Sequence, residues 1–182
     1  MEKGKNIDEL IFEGEFFNGK KWNGKGKEYN RIGELIFGGE YLNGERWNGI
    51  IKEYYDNNKL KFEGKYLNGK KQGIIEEYYD NGNKKLVGEY LNGLRNGKFY
   101  EYYHNGKLQF EGEYLNDLRN GKGKEYYYNG QLKFKGEYLK GLRNGKWEEY
   151  NNNGKLLFEG EYLNGKKWNG KIYNPKVIYI LN

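Results

Sequence analysis

Hydrophobic and polar positions alternate along most of this chain, in short runs broken by Gly and Asn. The run Leu108-Gln109-Phe110-Glu111-Gly112-Glu113-Tyr114-Leu115 is representative. A period of two predicts a strand with Leu108, Phe110, Gly112 and Tyr114 on one face and Gln109, Glu111 and Glu113 on the other. A second kind of run, Lys98-Phe99-Tyr100-Glu101-Tyr102-Tyr103, is dense in aromatic residues and is also strand material. Its fifth position is Tyr in nearly every copy: Tyr29, Tyr54, Tyr78, Tyr102, Tyr126 and Tyr150. No window carries a 3.6-residue apolar stripe, so essentially no helix is expected.

The two runs recur. Gly-Glu-Tyr-Leu-Asn-Gly, with small variations, starts at Gly14, Gly39, Gly64, Gly88, Gly112, Gly136 and Gly160, in steps of 25, 25, 24, 24, 24 and 24 residues. Turn residues stand at both ends of each strand. Asn105-Gly106, Asn129-Gly130 and Asn153-Gly154 are hairpin signals at one end. The other end carries loops such as Asn92-Gly93-Leu94-Arg95-Asn96-Gly97. The Gly inside the first strand costs stability, and its recurrence points to an aromatic ring of a neighbouring strand lying over the bare backbone.

A lone hairpin is marginal in water, so each unit must bury its aromatic face against its neighbours. The pattern predicts an all-β fold, a single-layer antiparallel β-hairpin repeat solenoid, as an elongated rod or half-pipe. Each unit advances it by roughly 9.5 Å, giving a length on the order of 65 Å. One repeat domain is expected over residues 1–182, with a half-repeat start over 1–13, tandem repeats over about 14–173 and a C-terminal cap over 174–182. Pro175 suits a sheet edge, and Val177 to Ile180 reads as a final strand or cap.

Composition narrows the chemistry. The 182 residues include 29 Gly and one Pro, are 18% aromatic, and contain no Cys, Ser, Thr or Ala. Covalent catalysis through a hydroxyl or thiol side chain of those types is therefore excluded, as is zinc held by thiolates. His104, the single histidine, is expected as a solvent-facing turn residue. Glu and Tyr abound, but repetition presents the same pair in every unit, whereas catalysis needs one singular pocket. The expectation is no enzyme, no cofactor, no metal and no small-molecule substrate. No apolar run approaches the ~20 residues of a membrane span, and no signal-peptide core follows Met1. An intracellular location is expected, cytoplasmic or on a cytoskeletal, membrane-proximal or viral assembly.

Phe-Glu-Gly-Glu-Tyr-x-Asn-Gly, followed by x-x-(x)-Gly-Lys-Gly-Lys-Glu-Tyr, resembles the membrane occupation and recognition nexus (MORN) repeat over roughly residues 7–173. The resemblance implies a half-open β-hairpin solenoid, often dimeric, serving as a scaffold in cytoskeletal, ciliary, viral or membrane-contact settings. Lipid binding has been proposed for the family, and bacterial relatives of the repeat suggest an antitoxin-like inhibitory module. This chain departs from the pattern. The second loop Gly stands at Gly26 and Gly123 but is Ile51, Ile75, Phe99 and Trp147 elsewhere, and Trp22, Trp47 and Trp168 accompany an extra residue.

Three surfaces are candidates for function. Repetition makes a cation ladder of Lys21, Arg46, Lys71, Arg95, Arg119, Arg143 and Lys167, of which Arg46, Lys71, Arg95, Arg119 and Arg143 are the candidate anion-facing row. Against it stand Glu ladders at Glu15, Glu40, Glu89, Glu113, Glu137 and Glu161 and at Glu28, Glu53, Glu77, Glu101, Glu125 and Glu149, which spread the net charge of +6 among neutralising pairs. Nucleic acid is the weaker expectation, since no concentrated basic patch is present. Tyr54, Tyr78, Tyr102, Tyr126 and Tyr150 form either a strip for a protein partner or part of the core. Trp22, Trp47 and Trp168 are either exposed anchors or covers folded over the edge, whereas Trp147 belongs in the core. The leading expectation is a scaffold for a protein partner or for self-association, with an anionic membrane as the alternative.

Overall fold

The computed structural model describes residues 12–173 and 178–181. They form fifteen strands: β1 (Phe12–Phe17), β2 (Lys20–Tyr29), β3 (Leu35–Leu42), β4 (Glu45–Tyr54), β5 (Leu60–Leu67), β6 (Lys70–Tyr78), β7 (Lys84–Leu91), β8 (Leu94–Tyr102), β9 (Leu108–Leu115), β10 (Leu118–Tyr126), β11 (Leu132–Leu139), β12 (Leu142–Tyr150), β13 (Leu156–Leu163), β14 (Lys166–Tyr173) and β15 (Ile178–Leu181). Strand order in the single open sheet is chain order. No helix occurs among the described residues. The expected single-layer hairpin solenoid is what the chain adopts. It divides into two compact units, one of Met1–Gly82 with Tyr90–Gly93 and one of Asn83–Glu89 with Leu94–Asn182.

Turn chemistry fixes the hairpins. Asn43 and Gly44 both have positive φ, 52° and 81°, and Asn164 and Gly165 repeat this at 49° and 81°. Two successive left-handed residues make the turn whose twist matches paired strands, which is why Asn-Gly recurs there. At the opposite end one residue is left-handed: Gly106, at φ 80°, donates to the Tyr103 carbonyl, and Asn105 Oδ1 accepts from the Lys107 N–H. The turn is shorter than the sequence suggested at Asn92-Gly93-Leu94-Arg95-Asn96-Gly97, because β8 already begins at Leu94.

The loop residues are absorbed into the second strand as bulges. In the repeats of Trp22, Trp47 and Trp168 a single residue is inserted: Glu40 pairs with Asn48 and Tyr41 with Arg46, leaving Trp47 between them. The shorter repeats leave two residues out: Glu137 pairs with Asn144 and Gly136 with Trp147, so Gly145, at φ 72°, and Lys146 are bypassed. Bulges of this kind re-aim the side chains that follow.

Alternation then sorts the two faces. In the first unit Phe37, Tyr41, Ile51, Phe62, Ile75 and Tyr90 are buried; in the second Leu86, Phe99, Phe110, Tyr114, Tyr138, Trp147, Phe158 and Tyr162 are. The rings pack edge to face, as in Tyr138 against Trp147 with centroids 4.9 Å apart, and Trp147 Nε1–H donates to the Glu137 carbonyl at 2.8 Å. The mid-strand Gly has the predicted cause at two positions. A Cβ on Gly88 would be driven into the Phe99 ring, and one on Gly136 into the Trp147 indole. At Gly64 the covering group is Ile75, and at Gly112 a Cβ would meet the Phe110 ring at 2.6 Å and Gly123 Cα at 3.0 Å. One column therefore has two solutions, Gly facing Gly or Gly facing a large side chain.

β15 pairs with β14, so a final strand is present over 178–181. Residues 1–11 of the expected half-repeat start and residues 174–177 and 182 of the expected cap, Pro175 and Val177 among them, lie outside the described residues.

Candidate interaction surfaces

The cation ladder lies in the strands, on the aromatic face, and its charges are engaged. Register places Arg119 opposite Tyr114, and Glu125 opposite Phe110 on one side and Phe134 on the other. Arg119 donates to Glu101 at 3.2 Å and to Glu125 at 3.2 Å, and its guanidinium lies 3.8 Å from the Phe110 ring centroid. Glu125 also pairs with Arg143 at 3.5 Å and accepts from Tyr138. Glu28, Glu101 and Glu125 thus each bridge the cation of their own repeat and that of the next, whereas Glu53 pairs with Lys61. Arg95 pairs with Glu101 at 3.4 Å and Lys167 with Glu149 at 2.9 Å. In the first unit Glu28 binds Lys21 at 3.0 Å together with Arg46 and Tyr41, and Lys71 pairs with Glu77 at 3.6 Å.

The candidate anion-facing row is engaged within the chain. Arg46, Lys71, Arg95, Arg119 and Arg143 each meet a carboxylate of the chain and the face of a core ring, and only 27% of the Arg119 side chain is exposed. Burial opposes ionisation of Glu28, but hydrogen bonds from Tyr41, Arg46 and Lys21 outweigh it and hold the pKa at about 2. Burial and the neighbouring carboxylates raise the phenols, Tyr138 to about 12 beside Glu125 and Tyr162 to about 12 beside Glu149. Glu28 is therefore ionised at neutral pH, while Tyr138 and Tyr162 keep their protons.

The two kinds of Tyr separate. The buried ones follow Gly-Glu, as Tyr114 does. Tyr54, Tyr78, Tyr102, Tyr126 and Tyr150 are half-buried at the strand ends on the opposite face. Tyr78 donates to Glu76 at 2.6 Å, Tyr126 to Glu111 at 2.7 Å and Tyr150 to Glu148, while Tyr54 reaches the Leu35 carbonyl at 3.4 Å. The residue after each has a role that alternation did not reveal: Tyr55, Tyr103 and Tyr127 reach one repeat forward, to the carbonyls of Tyr78, Tyr126 and Tyr150, at 2.8, 2.7 and 2.9 Å. Asn105 Nδ2 does the same to Tyr128 at 3.1 Å, and the recurring Asn column was the signal for it. His104 is exposed in a turn, its carbonyl accepting from Asn83 Nδ2.

The three Trp differ. Trp22 lies within 3.8 Å of a Cβ on Gly44, and Trp47 within 3.5 Å of one on Gly69, so each covers the following hairpin turn. Trp168 is 62% exposed.

The opposite face of the sheet is ionic and outward. In the second unit it holds a trough of 620 Å³ with Gly123, Gly136, Gly160 and Gly170 along its floor and Lys122, Lys135, Lys146, Glu148 and Glu159 among its walls. Lys124 pairs there with Glu111 at 2.8 Å and Lys135 with Glu148 at 2.9 Å. Beside it, at the Asn-Gly turns, leucines stand half exposed.

A family model described as the MORN repeat matches residues 12–33, 87–98, 110–132 and 134–146, and one described as a MORN repeat variant matches 47–68, 71–92, 95–116 and 143–164. These segments together cover most of the chain. The chain belongs to the MORN repeat family. Such repeats are modules that interact with proteins or membranes and are generally without catalytic activity. No curated protein matches the chain significantly. The two solutions of the glycine column track the two models. The variant spans Ile51, Ile75, Phe99 and Trp147, whereas the MORN matches hold Gly26 and Gly123 or stop at 98 and 146, immediately before Phe99 and Trp147. In this MORN array, among the described residues, no helix is long and apolar enough to cross a membrane, and no group of His, Asp or Glu is arranged to hold a metal ion.

Proposed function

We propose that this MORN array is a non-catalytic scaffold that works by protein–protein contact. The observation that carries the reading is the fate of the cation ladder. Cations that would meet phospholipid head groups are spent on Glu28, Glu77, Glu101, Glu125 and Glu149 and on the core rings. Freeing them would break charge pairs in a partly desolvated setting, which costs more than an exposed head group returns. The half-exposed leucines and the trough are the features a protein partner would use. Affinity capture from the source cells, with the full chain beside a Leu118→Asn/Leu142→Asn variant, tests this. Recovery of stoichiometric protein that survives high salt and is lost from the variant is expected. Recovery of none, together with salt-sensitive binding to anionic vesicles, overturns it.

A second reading, a peripheral membrane adaptor, is favoured by one residue. The Trp168 indole is exposed two residues after the exposed Lys166, an aromatic and a cation near one another in sequence and suited to an interface. It predicts that Trp168→Ala abolishes vesicle binding while Trp22→Ala leaves it intact.

A further inference from the structure

Three turns of the second unit carry the same Asn-Gly pair at the same place: Asn105-Gly106, Asn129-Gly130 and Asn153-Gly154. In each, the Gly N–H donates to the carbonyl three residues before it, Gly106 to Tyr103 at 2.8 Å, Gly130 to Tyr127 at 2.7 Å and Gly154 to Asn151 at 2.9 Å. The backbones of the turns are thus alike. They differ in what holds the Asn side chain.

Asn105 and Asn129 are held at both ends of the carboxamide. Oδ1 accepts from the N–H two residues on, Lys107 at 3.0 Å and Gln131 at 3.0 Å. Nδ2 donates to the next turn, to the Tyr128 carbonyl at 3.1 Å and the Asn152 carbonyl at 2.8 Å. Among the described residues, the exposed Asn153 carboxamide is held at neither end. The cause is Asn151, which stands where the other turns have Tyr103 and Tyr127. Its Oδ1 accepts from the Lys155 N–H at 2.9 Å and the Asn153 N–H at 3.0 Å, and so takes the donor that Asn153 Oδ1 would otherwise use. Asn side chains compete in this way for nearby backbone groups.

We infer that Asn153 is a site of covalent modification, deamidation through its neighbour Gly154. The Gly154 nitrogen, its proton lost to solvent, bonds to Asn153 Cγ. The Cγ–Nδ2 bond breaks, and ammonia leaves with a proton taken from water. Water then adds to one carbonyl of the five-membered imide and opens it, either to Asp or to isoaspartate, which carries one more methylene in the main chain. One water is consumed, one ammonia is released, and the turn gains a negative charge. Gly permits the step because no side chain obstructs its nitrogen. The same reaction at Asn105 or Asn129 must first give up two hydrogen bonds, which slows it. Modification acts beyond its own turn, because the Asn152 carbonyl beside it holds the Asn129 amide. The inference is independent of what the scaffold binds.

Incubation of the full chain in mildly alkaline buffer, then cleavage after lysine and peptide mass spectrometry, tests it. Residues 99–107, 125–133 and 147–155 are separate fragments, so each site is read by itself. In the folded chain Asn153 is expected to convert at least ~10-fold faster than Asn105 and Asn129. In denaturant the three are expected to convert alike, since each is followed by Gly and none is clasped. Asn151→Tyr, which copies the other two turns, is expected to slow Asn153 to their rate, with circular dichroism confirming the fold. Equal rates at the three sites in the folded chain overturn the inference. So does an Asn153 rate that Asn151→Tyr leaves unchanged, or a difference that persists in denaturant, which would belong to the neighbouring residues and not to the clasp.

Discussion

At the scale of single residues, the unexpected feature is the charge on the aromatic face. Alternation assigns Glu101 and Glu125 to the same side as Phe110, where a charged residue would ordinarily be excluded. They are stable there because Arg of two successive repeats reaches each of them and Tyr donates to them, so neither charge is left unpaired. Two titrations follow. Glu28 is held near pH 2 in the fold against 4.5 when unfolded, so the unfolded chain binds its proton first. Stability from Glu28 is complete above about pH 4.5 and is lost as the pH falls toward 2, on the order of 2 kcal/mol. Glu28→Gln is expected to lower stability at pH 7 and to flatten the acid limb of a denaturation series. At the alkaline end Tyr138 and Tyr162 ionise near 12 in the fold and near 10 when unfolded. Stability is therefore full below pH 10 and falls between 10 and 12, which phenolate absorbance followed together with the fold will register. A Tyr138→Phe/Tyr162→Phe chain whose phenolate absorbance between pH 10 and 12 matches that of the parent would refute the burial of these rings.

At the scale of the element, the glycine column makes the sharpest contrast. Gly88→Ala drives a methyl group into the Phe99 ring, and a cost of about 3 kcal/mol is expected. Gly38→Ala meets nothing nearer than 3.6 Å and has no positive φ, so it should be neutral or stabilise by about 0.5 kcal/mol. Chemical denaturation of both variants decides the matter; equal costs would show that the ring does not lie over the strand. The bulged Trp gives a second contrast. Trp47→Ala uncovers the Gly69 turn and is expected to cost about 2 kcal/mol, whereas Trp168→Ala should cost under ~0.5 kcal/mol. The strands, the turns and the covered Gly were legible in the sequence because each is a local property with a short period. The direction of Tyr102 and its equivalents was not, since it depends on where the bulges fall. Neutralising Glu ladders are legible in the sequence, but which Glu meets which cation is not, because Arg95 and Glu101 lie six residues apart while Glu101 and Arg119 lie eighteen apart, and only pairing across repeats unites them.

At the scale of the molecule, identical units set a condition on function: what every repeat shares is spent on holding the repeats together. Tyr55, Tyr103 and Tyr127 reach forward one repeat, as do Arg119 and Arg143 backward to the previous Glu. In repeat arrays such nearest-neighbour terms carry the stability. We propose that specificity is left to what the repeats do not share: Leu94, Leu118 and Leu142, which stand where other strands open with Lys or Glu, the Asp117 and Lys140 turns, and Trp168. The family includes modules for proteins and for membranes, and the proposal that this chain belongs with the first rests on its neutralised ladder. Co-sedimentation with phosphatidylserine-containing and with purely phosphatidylcholine vesicles, at low ionic strength where exposed cations act most strongly, tests that claim most directly. The account predicts that the bound fraction is equally low for both. Binding that rises with the acidic lipid and falls when Arg95 and Arg119 are replaced by Gln would contradict it.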